Sequence, residues 1–367
     1  MDLLTNPVKE YDWGTRTDLA ALLGLAPDRP RAELWLGTHP SGPSTLVRAG
    51  HTRTLAEVVA ADPVRELGAD TVGTFGPRLP YLLKLLSARQ PLSLQVHPSA
   101  EQARLGHDRG DPHYPDPWDK PEMAVALTTF DALAGMRPPA EAADLVNRLG
   151  LRRLAPVVDT LTGGDPPGAL RTVLTWPQPD RRCLVTEVAD ACVDLAEEPA
   201  FAVTAQLAAL HPDDPAVLAP LLLNHHRLAP GEALYLPAGV LHTYLRGFAV
   251  EVMGASDNVL RAGLTSKPVD VAALLSVVDA SARPRPVTPD ADGAYRPGCR
   301  QFRLRHLTPA TPRRLTGAWP RILLCTCGTV TADGTTLHAG QSLWLPAHHD
   351  SLTVTGEGTA YCAEPGI

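Results

Sequence analysis

Apolar residues recur with a period of two in both outer regions of the chain and with a helical period between them. "AELWLGTH" (32–39), "YLLKLLSA" (81–88), "PLSLQVH" (91–97) and "EMAVALT" (122–128) alternate as strands do, so residues 1–136 read as strands joined by polar turns. Residues 137–222 change period. Ala142, Leu145, Val146 and Leu149 fall at i, i+3, i+4 and i+7, as do Leu184, Val188, Ala191 and Leu195, and Val203, Leu207 and Leu210. Three helices are predicted there, with "DDPAVLAP" opening a further short one. From Leu223 the period returns to two, in "EALYLPA", "FAVEVMG", "FRLRHLT", "RILLCTCGTV", "QSLWLPA" and "SLTVTG". The Pro-rich "SARPRPVTPDADGAYRPG" (281–298) reads as a linker. Four segments follow: 1–136, 137–222, 223–282 and 283–367.

Two local features stand out within this pattern. In "PLSLQVHPS" (91–99), Leu92, Leu94 and Val96 face one way and Ser93, Gln95 and His97 the other. A strand with a solvated face favours Thr, Lys or Glu there, so a hydroxyl, an amide and an imidazole in a row suggest a polar face turned inward. Next, Ser99 and Gln102 form a capping box for a short helix that Gly106 should stop. The second feature is a repeat. "LAPGEALYLPAGVLHTYLRG" (228–247) and "LHAGQSLWLPAHHDSLTVTG" (337–356) align without a gap, with Tyr235 matched by Trp344 and His242 by Ser351. The second copy keeps the turn signals and lacks the imidazole.

Composition narrows the function. The chain has 367 residues, enough for two or three domains, and its 44% hydrophobic and 20% charged residues are an ordinary globular balance. Its 37 prolines and 29 glycines suit short strands and turns. A net charge of −7 argues against a general nucleic-acid binder. The N-terminal "MDLLTNPVKEYDWGT" has neither a basic nor an apolar signal segment, and no apolar run approaches a membrane span, so a cytoplasmic protein is expected. Six scattered cysteines include no C-x-x-C; the "CTC" at 325–327 reads as two small thiols on one buried strand face.

The spacing Gly231, Pro237, Gly239, His242 resembles the second half of the cupin signature, whose His is commonly a metal ligand. Gln95-x-His97 stands where the first half carries H-x-H, and a strand explains the x, because ligands two apart point the same way. Glu122 lies beyond the usual cupin spacing, with residues 99–119 as the intervening loop. Singly these are weak signals: a lone barrel His is commonly a core residue, an amide is a poor zinc ligand, and Glu122 could simply pair with Lys120. Together they offer a mixed N/O set suited to an open site for Zn²⁺ or a similar ion.

"AELWLGTHPSGPS", "LPYLLKLLSARQPLSLQVHP", "DKPEMAVAL", "LPAGVLHTYLRG" and "SDNVLRAGLTSK", in this order, closely resemble the signature segments of the type I phosphomannose isomerases. The resemblance implies a mainly β fold of two cupin-type jelly-roll barrels with a small helical domain. Residues 1–136 and 223–282 would form the catalytic barrel, 137–222 the insertion and 283–367 a degenerate second barrel. It implies one Zn²⁺ on Gln95, His97, Glu122 and His242, and a small hexose phosphate as partner. Aldose–ketose isomerisation of mannose 6-phosphate and fructose 6-phosphate moves a proton between C1 and C2 through an enediol, needing a Lewis acid, an acid/base group and a phosphate grip. Arg261 is the family's active-site arginine, with Lys120, Asp257 and Glu251 as proton carriers. Trp13, Ser93, Lys84, Tyr244 and Lys267 match pocket positions. Two departures matter: Asp119 stands where the family often has His, and "LTSK" replaces "LTPK". The rivals are a metal-dependent cupin oxidase or dioxygenase, which would favour more His ligands, and a non-catalytic sugar-phosphate-binding bicupin. Nothing in the sequence fixes the oligomeric state; a monomer is compatible with it.

Overall fold

The computed structural model describes residues 1–367. Helix accounts for 29% of the chain and strand for 32%, so the fold is mixed rather than mainly β, with several sheets of which none closes on itself. Part of the difference lies in residues 1–136, which hold helices at Asp18–Leu23, Leu55–Ala61, Pro63–Leu67 and Ala69–Phe75 among the expected strands. At five to seven residues these are too short to establish a period. Their caps were the available signal: Thr54 and Glu57 form a capping box, and Asp62 caps the helix opened by Pro63.

The sheet that carries the site runs, strand by strand, through Arg285–Val287, Ala233–Leu236, Glu122–Ala126, His242–Gly254, Tyr81–Ala88, Glu33–Leu36 and Val8–Lys9. The strand His242–Gly254 belongs to it only from Gly247 onward. Its first half pairs with Phe130–Met136 instead and, at His242, with Gln95. Gly247 makes this switch. Its φ is +123°, and a Cβ there would lie 2.6 Å from the Thr129 carbonyl oxygen.

One face of this sheet is apolar and joins the C-terminal region. Leu83, Leu85, Met123, Val125, Val250 and Val252 pack with Ile322, Leu324, Trp344 and Tyr361 in one 27-residue cluster. The other face carries Lys84, Glu122 and Glu251, all buried. A second cluster, of 40 residues, unites the helices of 139–222 with Leu94, Val96 and Leu260. The helix Pro139–Arg148 buries the expected Ala142, Leu145 and Val146, and Arg181–Val193 buries Leu184 and Val188, but Ala191 is half-buried and Leu195 lies beyond the helix end. In Pro199–Leu210 the buried face is rotated: Phe201, Thr204, Leu207 and Ala208 point inward, Val203 is half-buried, and Leu210 is exposed.

Three further expectations need correction. Gly106 does not end its helix, which runs from Ala100 to Asp108; it lies inside, where a Cβ would collide with the Tyr114 ring. The two thiols of "CTC" do not share a buried face, because a bulge separates Cys325, buried, from Cys327, exposed. The Pro-rich stretch is no free linker. Arg285–Val287 pairs with Ala233–Tyr235 and Ala294–Tyr295 pairs with Leu304–Arg305, so it straps two sheets together.

The repeat is structural as well as sequential. Ala233–Leu236 and Ser342–Leu345 are corresponding strands, and the next strand starts at His242 in one copy and at Ser351 in the other. Gly231 and Gly340 have φ of +88° and +85°, and Gly247 and Gly356 of +123° and +124°.

Candidate metal centre and active site

The strand at Leu94–Val96 is shorter than its alternation suggested. Leu94 and Val96 pack toward the helices, but Leu92 joins a separate cluster with Trp13, Phe130 and Tyr244, so it does not share their face. The polar residues do face a common space. Gln95 is paired with His242 on one neighbouring strand and with Arg261 on the other. Residues directly opposite in adjacent strands share a face, so Arg261, Gln95 and His242 form one rung. His97 and Glu122 complete the set: the ligand atoms of His97, Glu122 and His242 all lie within 4.8 Å of one another.

Both imidazoles are fixed by their far nitrogens. His97 Nδ1 lies 2.7 Å from the Asn258 carbonyl and His242 Nδ1 lies 2.8 Å from the Val240 carbonyl. A carbonyl only accepts, so each Nδ1 carries the proton and each Nε2 presents a lone pair. Those lone pairs are aimed at a carboxylate: His97 Nε2 is 3.1 Å from Glu122 Oε1, and His242 Nε2 is 3.3 Å from Glu122 Oε2. Gln95 Nε2 is placed 3.5 Å from His242 Nε2, and a turn of the amide brings its oxygen to the same side. His97 Nε2 and Glu122 Oε2 are buried without a hydrogen-bond partner. Burial pushes His97 down to about 4, overriding the pull of Glu122, so its ring is neutral. Burial works against the charge on Glu122, yet its carboxyl is held well below the ordinary range, with the Lys120 ammonium 3.3 Å away. Lone pairs facing a carboxylate in a dry site repel one another unless a cation lies between them, so the donor set fits a divalent ion. Two imidazoles, a carboxylate and an amide suit Zn²⁺ with a position left open.

Around this centre lies a shell of charge. Lys84 Nζ stands 3.3 Å from Glu33 Oε1 and 3.7 Å from Glu251 Oε2, and 5.0 Å from the centre of the Trp35 ring. Burial disfavours its charge, yet Glu33, Glu251 and Glu122 together raise its pKa. Burial raises the Glu251 pKa as well, up to about 7, against the pull of Lys84. Lys120 Nζ is 3.3 Å from Glu122 Oε1. Asp257 accepts from His39 Nε2 at 2.9 Å; this bond outweighs partial burial and lowers its pKa. The Ser41 amide donates to His39 Nδ1, which fixes the ring's proton on Nε2.

The segment "SDN" is a clamp. Ser256 Oγ donates to Asp116, the Asp257 amide donates to Asp116, and Asn258 Nδ2 donates to the Asp116 and Trp118 carbonyls. It thereby holds the Asn258 carbonyl against His97 and Asp257 over the site. Asp257 and Arg261 then line one cavity of about 510 Å³ with His113 and Asp270. Arg261 makes no ion pair, and burial lowers its pKa. Tyr244 is buried next to Phe130 with its hydroxyl unpartnered, Trp13 borders the same cluster, and Ser93 Oγ lies 3.5 Å from Gln95 Oε1. Lys267 is not brought in: it is exposed on the loop beyond Gly263, and its ammonium has no partner. Asp119 turns away to accept from Gln301. The sequence reading passed over Glu33, Trp35 and His39, although all three stand in the quoted "AELWLGTHPSGPS"; the two-residue spacing of Glu33 and Trp35 on a strand beside Lys84 was the usable signal.

A model of the phosphomannose isomerase type I catalytic domain matches residues 1–139. The chain is 32% identical to mannose-6-phosphate isomerase of Escherichia coli (strain K12), over 98% of each chain. It is 35% identical to that of Mus musculus, over 76% of this chain and 72% of the other. Among solved structures, a zinc-bound mannose 6-phosphate isomerase superposes with a TM-score of 0.90 at 29% identity, covering 100% of this chain and 99% of that one.

Proposed function

The chain belongs to the type I phosphomannose isomerase family, and from this we infer how its residues carry out the family's reaction. It is a zinc-dependent aldose–ketose isomerase acting on mannose 6-phosphate and fructose 6-phosphate. The observation that carries this reading is the arrangement of two fixed imidazole lone pairs and a carboxylate around one gap. We assign His97, Glu122 and His242 as zinc ligands with Gln95 as the fourth. When bound, zinc supplies a Lewis acid that polarises the oxygens on C1 and C2.

The remaining steps fall to the chain. Arg261, unpaired at the edge of the cavity, lies where it can stabilise the charge of an enediolate. Asp257 is the favoured proton carrier between C1 and C2: it is ionised, half-exposed, and opens into the same cavity as Arg261. Its bond from His39 keeps it oriented. Lys120 and Glu251 are the other carriers within the site, but both are largely buried against neighbouring charges. Lys84 balances Glu33 and Glu251 and lends its positive charge to the pocket wall. Ser93, Tyr244 and Trp13 supply polar and aromatic surface for the sugar, and Lys267 is an exposed counter-charge to phosphate at the rim.

The site-bearing sheets belong to a cupin-type barrel made of residues 1–136 and 223–282, with 137–222 inserted and 283–367 forming a second, degenerate barrel. The gapless repeat supports this division. No helix is long and apolar enough to cross a membrane, and a cytoplasmic location is our reading. A coupled assay with mannose 6-phosphate, with and without chelator, tests the function. Turnover should vanish on stripping and return with Zn²⁺; full turnover in metal-free protein would overturn it.

A further inference from the structure

The register of the second copy shows what replaced the site. Leu236 pairs with Glu122, and its counterpart Leu345 pairs with Arg321. Glu251 pairs with both Ala124 and Lys84; in the second copy Cys362 pairs with both Leu323 and Arg305. His242 pairs with Gln95, and Ser351 with Thr316. So Arg321 stands for Glu122, Arg305 for Lys84, Cys362 for Glu251, Ser351 for His242 and Thr316 for Gln95. Of the four metal-binding groups, Glu122, His242 and Gln95 are thus replaced by residues unsuited to a zinc site, while the basic position beside them is kept and reinforced.

At this end of the second copy three arginines share one carboxylate. Glu364 accepts from Arg303 Nε at 2.6 Å, Arg305 Nε at 2.7 Å, Arg321 Nε at 3.2 Å and Trp319 Nε1 at 2.7 Å. Arg321 is fully buried and its remaining amines donate to the Gly317 and His349 carbonyls, so it is structurally committed. Arg303 and Arg305 are different. Each uses only Nε, both on the same Glu364 oxygen, and each guanidinium's terminal amines have no protein acceptor. Those amines are nonetheless not sealed from solvent. Their side chains are only 12% and 14% exposed, so this is a recess rather than an open surface. Arg303 also stacks on Trp319, 4.7 Å from the ring centre, which fixes its plane. Asp290, the carboxylate that bears on Arg305 from the preceding strap, is bound to Arg296 at 2.8 Å.

Three positive charges against one negative, in a nearly dry recess, leave an excess of two. Two guanidinium groups held on one carboxylate oxygen, each with free terminal amines, match a tetrahedral oxyanion, and the excess charge matches a dianion. We propose that the terminal amines of Arg303 and Arg305 form a second anion site, separate from the zinc centre, that takes the phosphate group of orthophosphate or a sugar monophosphate. This goes beyond the isomerase reading and does not depend on it.

The test uses the full zinc-loaded chain. Crystals soaked in tungstate should show an anomalous peak between Arg303 and Arg305, whatever is found near Arg261. Titration with inorganic phosphate, and separately with glucose 6-phosphate, should count one site fewer in the Arg303→Gln/Arg305→Gln variant than in the wild type. The isomerase kcat of that variant should stay within about twofold. Arg305→Lys, which keeps the charge but loses the fork, should bind about tenfold more weakly. If glucose 6-phosphate binds the recess more tightly than phosphate, the sugar is recognised too; equal binding assigns the phosphate group alone. A wild-type map without a peak at the recess, or a site count unchanged by the double substitution, would overturn the proposal even if the isomerase activity is intact.

Discussion

Residues 228–247 and 337–356 follow the same turn into corresponding strands, with positive-φ glycines at matching points. Around the first lie two imidazoles, an amide and a carboxylate; around the second lie a serine, a threonine and an arginine. The backbone requirements and the chemical requirements are therefore separable. Glycine is kept where the chain must bend against a carbonyl, and proline and leucine are kept where the turn packs. The ligand positions are free to change, because nothing in the bend depends on them. Polar inward positions in the first copy converge on one gap suited to a cation. In the second, apolar residues such as Leu323, Leu343 and Leu352 fill the interior, and the remaining charge is gathered on Glu364.

The sharpest contrast is at His242 and Ser351. His242→Ala should remove zinc and lower kcat by about 10³-fold or more, the loss of several kcal/mol of charge stabilisation. Ser351→Ala should leave zinc content and kcat at wild-type values. Metal analysis beside the coupled assay reads both. Retained zinc and turnover in the first variant would contradict the ligand assignment.

Next is Arg321, which occupies the position of Glu122. Its role is to hold the second copy together, so Arg321→Ala should cost about 3–5 kcal/mol in denaturant unfolding by breaking a fully buried ion pair. The folded fraction should turn over normally. Glu122→Ala should do the opposite, abolishing activity through loss of the metal.

How much of this was legible beforehand follows the same division. Most of the strand alternation, three of the middle helices, the repeat and the grouping of His97, Glu122 and His242 were readable, because side-chain period and motif spacing are local; the helices Ala155–Thr162 and Pro166–Leu174 were not. The helices between Asp18 and Phe75 were not, since five to seven residues cannot establish a period against flanking strands. Nor was the strap: Arg285–Val287 and Ala294–Tyr295 pair with strands distant in sequence, and proline suits an edge strand as well as a linker. His39 and Glu33 escaped because their significance depends on Asp257 and Lys84, distant partners. Arg303 and Arg305 lie two apart on one strand, and their joint role depends on Glu364, about sixty residues away.

Where the two copies share a backbone need, they should respond alike. At Gly247 a Cβ would lie 2.6 Å from the Thr129 carbonyl oxygen, and at Gly356 2.5 Å from that of Thr329. Both have positive φ. Gly247→Ala and Gly356→Ala should each lower stability by about 1–3 kcal/mol, through strain at a conformation L-residues avoid. A large cost at one glycine and none at the other would mean that the two bends are not equivalent.

The smallest effect distinguishes the two buried carboxylates by what they are linked to. Burial opposes the charge on Glu364, but Arg303 and Arg305 outweigh it and hold its pKa below the usual 4.5. A depressed carboxyl adds stability that is fully present above its unfolded value and is lost as pH falls through the folded one. Stability should therefore decline as the solution is acidified below about pH 4.5, and Glu364→Gln should flatten that decline. The variant will be less stable throughout, so the slope is the quantity to measure, by denaturant titration at a series of pH values. The candidate metal centre lies in the other copy, so the change in slope should be the same with and without chelator. If the chelator altered it, the arginine cluster and the metal centre would be coupled through the apolar sheet face they share.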